Sequence, residues 1–356
     1  MSNGRKTFRK KITSPELIAQ INPESQKIVD RFLKNFATKR SPKSVKVYQS
    51  NFQIFLCWVV LYADNESFVD IKKYTFLDFF DYCVTDLKWS ANRFAQMHSS
   101  LSSLSNFIEM YLDEKYPNFR NNVKKIEKLP KQAVREKSIF KKEELDNLMK
   151  WLGEKNKPNE QCLLALMMAS GARLSELVRF TTDMIDENSV AFEGLFLETT
   201  KSMQVKGRGI HGKSIVRYII KDMFLPYYKA YLPIREEIMR KNNQGHNSIF
   251  IKNDGTPATV GTIKSWMEKW DTVLDKHLYA HSIRHFWVSY LMSIGVEKQL
   301  VQEMQNWSSD QLVDIYNDTT AKDMKWKGLE KLRAALETEL IQNEIDDIRK
   351  ENNVKE

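Results

Sequence analysis

Cysteine is scarce in this sequence: Cys57, Cys83 and Cys162 are the three present. Odd in number, widely spaced and without a C-x-x-C pair, they argue against a disulfide scaffold and against a cysteine zinc cluster. A reducing compartment is the simpler reading. Long apolar runs are missing too. The longest, Ile54–Tyr62, ends far short of the roughly 20 residues that a membrane span needs. The opening MSNGRKTFRKK leads into no apolar stretch that reads as a signal peptide. There is no G-x-x-x-x-G-K-S/T phosphate loop, no G-x-G-x-x-G opening a βαβ unit, no H-E-x-x-H and no G-x-S-x-G, which discounts nucleotide-loop, dinucleotide, zincin and α/β-hydrolase chemistry. No internal repeat and no low-complexity tract is found.

What is abundant is positive charge. The 356 residues carry 55 Lys and Arg against 46 Asp and Glu, a net charge of +9. That balance favours a polyanionic partner such as nucleic acid. The charge is uneven. Arg5, Lys6, Arg9, Lys10 and Lys11 precede the first acid, Glu16. From Lys124 to Lys142 eight bases stand against two glutamates, around Pro130, and this stretch reads as a linker between domains. From Leu329 to Glu356 eight acids outnumber five bases.

At about 150 residues per domain the length suggests two or three domains. Residues 1–22 read as a basic tail and 23–120 as a helical domain. The linker is 121–137, a mixed domain spans 138–328, and 329–356 is an acidic helix. In the helical domain Ser41-Pro42 reads as a cap followed by proline at the first helical position. Val45, Tyr48, Phe52, Phe55, Val59 and Tyr62 then form one apolar stripe. Phe76–Val84 and Ser90–Leu112 give further helices, the latter with Ser99, Ser100, Ser102 and Ser103 between its apolar positions. Small hydroxyls on an exposed face suit close approach to a phosphate backbone. In the mixed domain Phe140–Leu145 starts a helix and Gln161–Ala169 is another. Val190–Phe192, Leu195–Thr199 and Ile215–Ile220 read as strands joined by a turn containing Gly207, Gly209 and Gly212. The fold class is therefore mainly α, with a small antiparallel β-sheet in the second domain.

Three fragments bear chemistry. Gly171-Ala172-Arg173-Leu174-Ser175-Glu176 sets an arginine just past a helix end. His281-Ser282-Ile283-Arg284-His285 follows, and Trp307 then precedes Tyr316 by nine residues. Separately each is weak; their order and spacing are specific. The chain here resembles the tyrosine recombinases of the phage-integrase family, the Cre-like and Xer-like enzymes, over roughly residues 23–328. The resemblance implies a helical core-binding domain and a mixed α+β catalytic domain clamped around duplex DNA. It makes Arg173 and Arg284 the two catalytic arginines, Glu176 the acid that orients the first, and His281 and His285 the histidines of H-x-x-R-H. Trp307 takes the His/Trp position and Tyr316 is the nucleophile. Lys201, in Glu198-Thr199-Thr200-Lys201-Ser202, resembles the family's hairpin lysine, with Lys206 and Lys213 as alternatives.

The resemblance also implies a 3′-phosphotyrosine intermediate, no cofactor and no metal. Its partners are double-stranded DNA bearing specific recombination sites and three further copies of the chain, a homotetramer on paired sites, with no membrane role. Accessory proteins are left open, and the implied location is the cytoplasm, at the nucleoid, of a prokaryotic or phage-infected cell. Candidate DNA contacts are Lys43, Arg93, Ser99, Ser103, Lys124, Lys125, Lys131 and Arg135.

Elementary chemistry agrees. Displacement at a phosphodiester gathers negative charge on its non-bridging oxygens, and two guanidiniums can meet it with fixed, charged donors. A lysine can protonate the leaving 5′-oxygen if cationic neighbours lower its pKa. An indole N–H donates but never accepts, so Trp307 is no base; that role falls to His281, His285 or water. Gln305-Asn306 stands where the family has Leu-Gly, so the turn before Trp307 is expected to differ. Leu329, Leu332, Leu336, Leu340, Ile341, Ile345 and Ile348 keep helical spacing, and that helix docks either on a neighbouring subunit or on its own domain. Two alternatives stay open: a non-catalytic DNA-binding protein on the same scaffold, and a metal-dependent nuclease using His277, His281 and His285, whose spacing stacks them on one helical face.

Overall fold

The computed structural model describes residues 12–130, 138–205 and 212–317. Lys131, Arg135, Lys206 and the acidic C-terminal helix lie outside the described residues. The described chain divides into two compact units, one within 12–130 and one within 138–205 and 214–317.

The first unit is helical: α1 (Pro15–Gln20), α2 (Pro23–Ala37), α3 (Pro42–Tyr62), α4 (Lys73–Thr85) and α5 (Ala91–Tyr111), followed by a 3₁₀ turn at Asn122–Lys125. The first three begin alike. Ser14, Asn22 and Ser41 each accept a hydrogen bond from a backbone N–H of the first turn, and the next residue is proline, whose missing N–H removes one orphan donor. Residues 12–22 are thus not all tail: α1 lies there, and Ile12 and Ile21 are buried in the core of the unit. That core is strongly aromatic. Phe55 stacks on Phe76 at 5.3 Å and meets Phe79 edge-on at 4.9 Å. One serine of α5 differs from its sequence reading. Ser100 is fully buried and accepts from Asn51 Nδ2 at 2.7 Å, because α3 packs against that side of α5.

The second unit is built around α7 (Pro158–Ser170), apolar on every side and buried throughout the last two thirds of its length. Around it lie α6 (Lys142–Glu154), the short α8 (Leu174–Leu177), α9 (Lys221–Lys241), α10 (Val260–Trp270), α11 (Ala280–Ser293), α12 (Lys298–Met304) and α13 (Gln311–Tyr316). Strands β1 (Val190–Ala191), β2 (Phe196–Glu198) and β5 (Tyr218–Ile220) form an antiparallel sheet in that order, with Val190 opposite Leu197 and Leu197 opposite Ile219. Strands β3 (Met203–Val205) and β4 (Lys213–Ile215) form a second ladder inserted between β2 and β5.

All three expected strands are shorter than read from the sequence, Leu195–Thr199 narrowing to Phe196–Glu198. Phe192 leaves β1 with φ +51, and its ring packs on Phe196 and Tyr218. The run Ile215–Ile220 breaks at Val216 and Arg217, so its two halves join different ladders. A smaller core of Trp287, Val288, Leu291, Val301, Met304, Trp307 and Val313 seats α12 and α13 on α11. No helix among the described residues is long and apolar enough to cross a membrane.

Candidate active site

The site is assembled on the C-terminal end of α7. A helix end leaves carbonyls without intrahelical partners and carries partial negative charge, so it attracts donors and cations. Gly171 stops α7 with φ +55. The carbonyls here are then met by side chains from distant segments. Trp287 Nε1 donates to Ala169 at 3.1 Å, Arg217 Nη2 and Gln305 Nε2 to Ser170 at 3.1 and 2.9 Å, and Arg284 Nη1 to Gly171 at 2.7 Å. This explains how arginines separated along the chain come to one place.

Just past the glycine, Arg173 caps α8. Its backbone N–H donates to Glu176 Oε2 at 2.9 Å and its Nη1 to Glu176 Oε1 at 2.7 Å. Glu176 is buried, and Arg217 Nη2 stands 3.5 Å from its Oε2. Burial pushes the Glu176 carboxyl up, but the Arg217 charge, and after it the Arg173 amide and charge, hold it below the usual carboxylate range.

His281, Arg284 and His285 share one face of α11, since residues three and four apart are neighbours on a helix. The Tyr316 ring lies against that face. Its centroid is 5.0 Å from His281, 4.8 Å from His285 and 5.0 Å from Trp307, and the Arg284 Cζ is 5.3 Å away. Ser289 Oγ reaches the Tyr316 carbonyl at 3.4 Å. Arg284 is fully buried beneath these rings, and among the described residues its Nε and Nη2 have no hydrogen-bond partner, nor does Trp307 Nε1. Burial first, then the like charges of Arg173 and Arg217, lower Arg284 to about 9. These unmatched donors suit an anion.

The turn before Trp307 follows the sequence departure in a specific way. Asn306 takes φ +50, which asparagine tolerates better than most residues in place of glycine, and Trp307 N–H donates to the Gln302 carbonyl at 3.0 Å. Gln305 turns inward instead.

Lys201 is exposed just beyond β2 and ion-paired with Asp183, so its partner is an anion rather than the expected cation. Lys213 is exposed at the start of β4. His277 does not stack with His281 and His285. It precedes α11, where Tyr279 is extended, and pairs with Asp271. Among the described residues no group of three His, Cys, Asp or Glu side chains converges to hold a metal ion.

Of the candidate DNA contacts, Ser99, Ser103 and Lys124 line one groove with His98, Ser102 and Lys128. Lys43 and Lys125 are exposed. Arg93 is committed within its own unit: it donates to Asn51 Oδ1 at 2.7 Å and Gln96 Oε1 at 2.9 Å and lies 4.3 Å over the Trp89 ring. Sequence reading missed Arg217 and Gln305. The available signal was a lone charge inside the apolar run Ile215–Ile220.

Residues 138–323 match the model of the phage integrase family. Tyrosine recombinase XerC of Lacticaseibacillus casei is 26% identical over 297 residues, covering 80% of this chain and 91% of the relative. XerC of Bacillus subtilis is 24% identical over 240 residues, covering 63% and 70%. Among solved structures, the Tn1549 transposon integrase in complex with transposon right end DNA gives a TM-score of 0.58 at 13% identity, covering 86% of this chain and 98% of that one. A lambda integrase tetramer bound to a Holliday junction gives 0.59 at 14% identity, covering 86% and 81%.

Proposed function

The chain belongs to the phage integrase family, and on that premise we propose that it cuts and rejoins duplex DNA at specific sites through Tyr316, as a tyrosine recombinase. One observation carries the assignment of roles: the phenol ring of Tyr316 packs against His281, His285 and Trp307 and over the Arg284 guanidinium.

The chemistry follows from these groups. The Tyr316 phenol oxygen attacks phosphorus, the bond to the 5′-oxygen breaks, and a 3′-phosphotyrosyl linkage forms. His281, His285 or water takes the phenolic proton, and a lysine, with Lys201 first, returns one to the departing 5′-oxygen. Arg173, Arg284 and the Trp307 N–H face the charge that develops on the non-bridging oxygens. The linkage conserves the energy of the broken bond, so the 5′-hydroxyl of a partner strand can reverse the step without a further energy source. Glu176 holds Arg173 in place.

The partners are double-stranded DNA with paired recombination sites and three further copies of the chain. The relatives solved on transposon-end DNA and, as a tetramer, on a Holliday junction support this. Such work is done in the cytoplasm, at the nucleoid. The groove of Ser99, Ser103 and Lys124 supports a backbone contact by the first unit.

The test is a duplex selected from a randomised pool by covalent capture on the wild-type protein, then nicked beside the cleaved phosphate so that the short 5′-hydroxyl fragment escapes. Wild type accumulates a protein linked to the 3′ end, in EDTA as without it, while Tyr316→Phe binds and accumulates none. Free ends, or activity abolished by EDTA, would support a metal-dependent nuclease instead.

A further inference from the structure

Arg217 is fully buried in the two-residue link between β4 and β5, a place where an apolar side chain would avoid the desolvation that a buried charge suffers. What it does there is join segments. Its Nη2 donates to the Ser170 carbonyl at 3.1 Å and stands 3.5 Å from Glu176 Oε2, and its Nη1 donates to Gln305 Oε1 at 3.2 Å. Its backbone N–H donates to Thr199 Oγ1 at 2.9 Å, and its carbonyl accepts from Thr199 N at 3.0 Å, two residues before Lys201. Gln305 completes the link by donating to the same Ser170 carbonyl at 2.9 Å, two residues before Trp307. The side chain and backbone of one residue therefore touch the segments that carry Arg173, Lys201 and Trp307.

We propose that Arg217 is a positioning residue for strand cleavage: with Gln305 it ties Glu176, and through Glu176 the guanidinium of Arg173, to the segment that delivers Trp307 and Tyr316. The inference rests on the recombinase reading above. The described Arg217 contacts are all to the protein: the Ser170 carbonyl, Glu176, Gln305 and Thr199. Its two-sided fork lets it serve Glu176 and Gln305 at once, which a single ammonium cannot do with the same geometry. Because phosphoryl chemistry is sensitive to displacement of its groups by about 1 Å, loosening this tie slows cleavage without loosening the grip on DNA.

The experiment uses the full chain and the nicked duplex selected on wild type. Arg217→Met, Arg217→Lys and Gln305→Leu are compared for single-turnover covalent-complex formation at saturating DNA, for DNA affinity and for the pH dependence of the rate. Arg217→Met should slow complex formation by about 10- to 100-fold while the dissociation constant moves less than about twofold. It should also introduce a rate loss on the acid side that wild type lacks, because Glu176 loses a neighbouring cation that favours its charged form. Arg217→Lys should recover part of the rate and flatten the profile.

An unchanged rate with an unchanged profile, or a rate loss matched by an equal loss of DNA affinity, overturns the proposal. If Arg217→Met fails to fold, Gln305→Leu decides: a slowdown of about tenfold supports the tie, and a wild-type rate ends it. Failure of wild type itself to form a covalent complex overturns the recombinase reading, a result separate from these.

Discussion

The Trp307 indole lies nearly parallel to the Tyr316 ring, centroids 5.0 Å apart and planes 18° apart, while the Arg284 Cζ sits 4.9 Å from the indole centroid and 5.3 Å from the phenol. The Tyr316 ring is thus held from one side by an aromatic face and from another by a buried cation. Position 307 combines two tasks, packing the tyrosine segment and presenting a donor.

These tasks separate by substitution. Trp307→Phe keeps a ring against Tyr316 and removes the N–H, and should slow covalent-complex formation by about 10²-fold, the usual effect of losing one preorganised donor. Trp307→His restores a donor and should recover part of that loss. Trp307→Ala also opens a cavity beside Val313 and should lower the melting temperature as well as the rate. Single-turnover assays and thermal melts check this, and equal rates for Phe and wild type would remove the donor role.

Arg284 should weaken the fold that it equips. Its charge is buried, with Nε and Nη2 unmatched among the described residues. Arg284→Met should abolish cleavage yet raise the melting temperature at neutral pH, because the folded state desolvates a charge and two unmatched donors that methionine does not carry. Folding lowers this group's proton affinity, to about 9. The penalty is therefore full below that value, and the advantage of Arg284→Met should shrink as pH rises through it. An advantage that grows with pH would contradict the assignment.

Gly171 is irreplaceable on two counts. Its φ is +55, and an added Cβ would lie 2.9 Å from Trp287 Cδ2 and 3.0 Å from Gln305 Nε2. Gly171→Ala should destabilise by more than about 1 kcal/mol through the backbone alone, and displace the carbonyl that holds Arg284. Chemical denaturation together with a cleavage assay tests both effects.

The identity of the general acid is open to a chemical test. A thiolate leaves without the proton that an alkoxide needs. If Lys201 is the donor, Lys201→Ala should be slow on ordinary DNA and restored on a duplex with sulfur at the bridging 5′ position, and Lys213→Ala should show no such rescue. The reverse pattern would move the role to Lys213.

Much of this arrangement was legible in the sequence. Ser41-Pro42 announces α3 through local chemistry, and Phe52, Phe55 and Val59 of its expected stripe are buried, but Tyr62 is exposed while Leu56, Cys57 and Trp58, off the stripe, are buried as well. Arg173, Glu176, His281, Arg284, His285, Trp307 and Tyr316 stand in ordered fragments, and a resemblance finds them. Arg217 was hidden because strand alternation gives no sign that a charged residue faces inward toward a helix end. Gln305 was read only as a departure before Trp307, since its partners Ser170 and Arg217 are distant in the chain. His277 looked like the first of a helical stack because its spacing is helical, but the bonds from Leu278 N–H and His277 to Asp271 keep the chain extended there. Ser100 looked solvated because periodicity does not reveal that α3 brings Asn51 to it.

The most direct measurement is mass spectrometry of peptides from the covalent complex formed in EDTA on the nicked duplex. A nucleotide bonded through phosphate to the Tyr316 phenol, lost in Tyr316→Phe and severely reduced in Arg173→Ala and Arg284→Ala, is the expected result. An adduct on any other side chain, or cleaved DNA bearing free 3′ ends and no peptide, would contradict it.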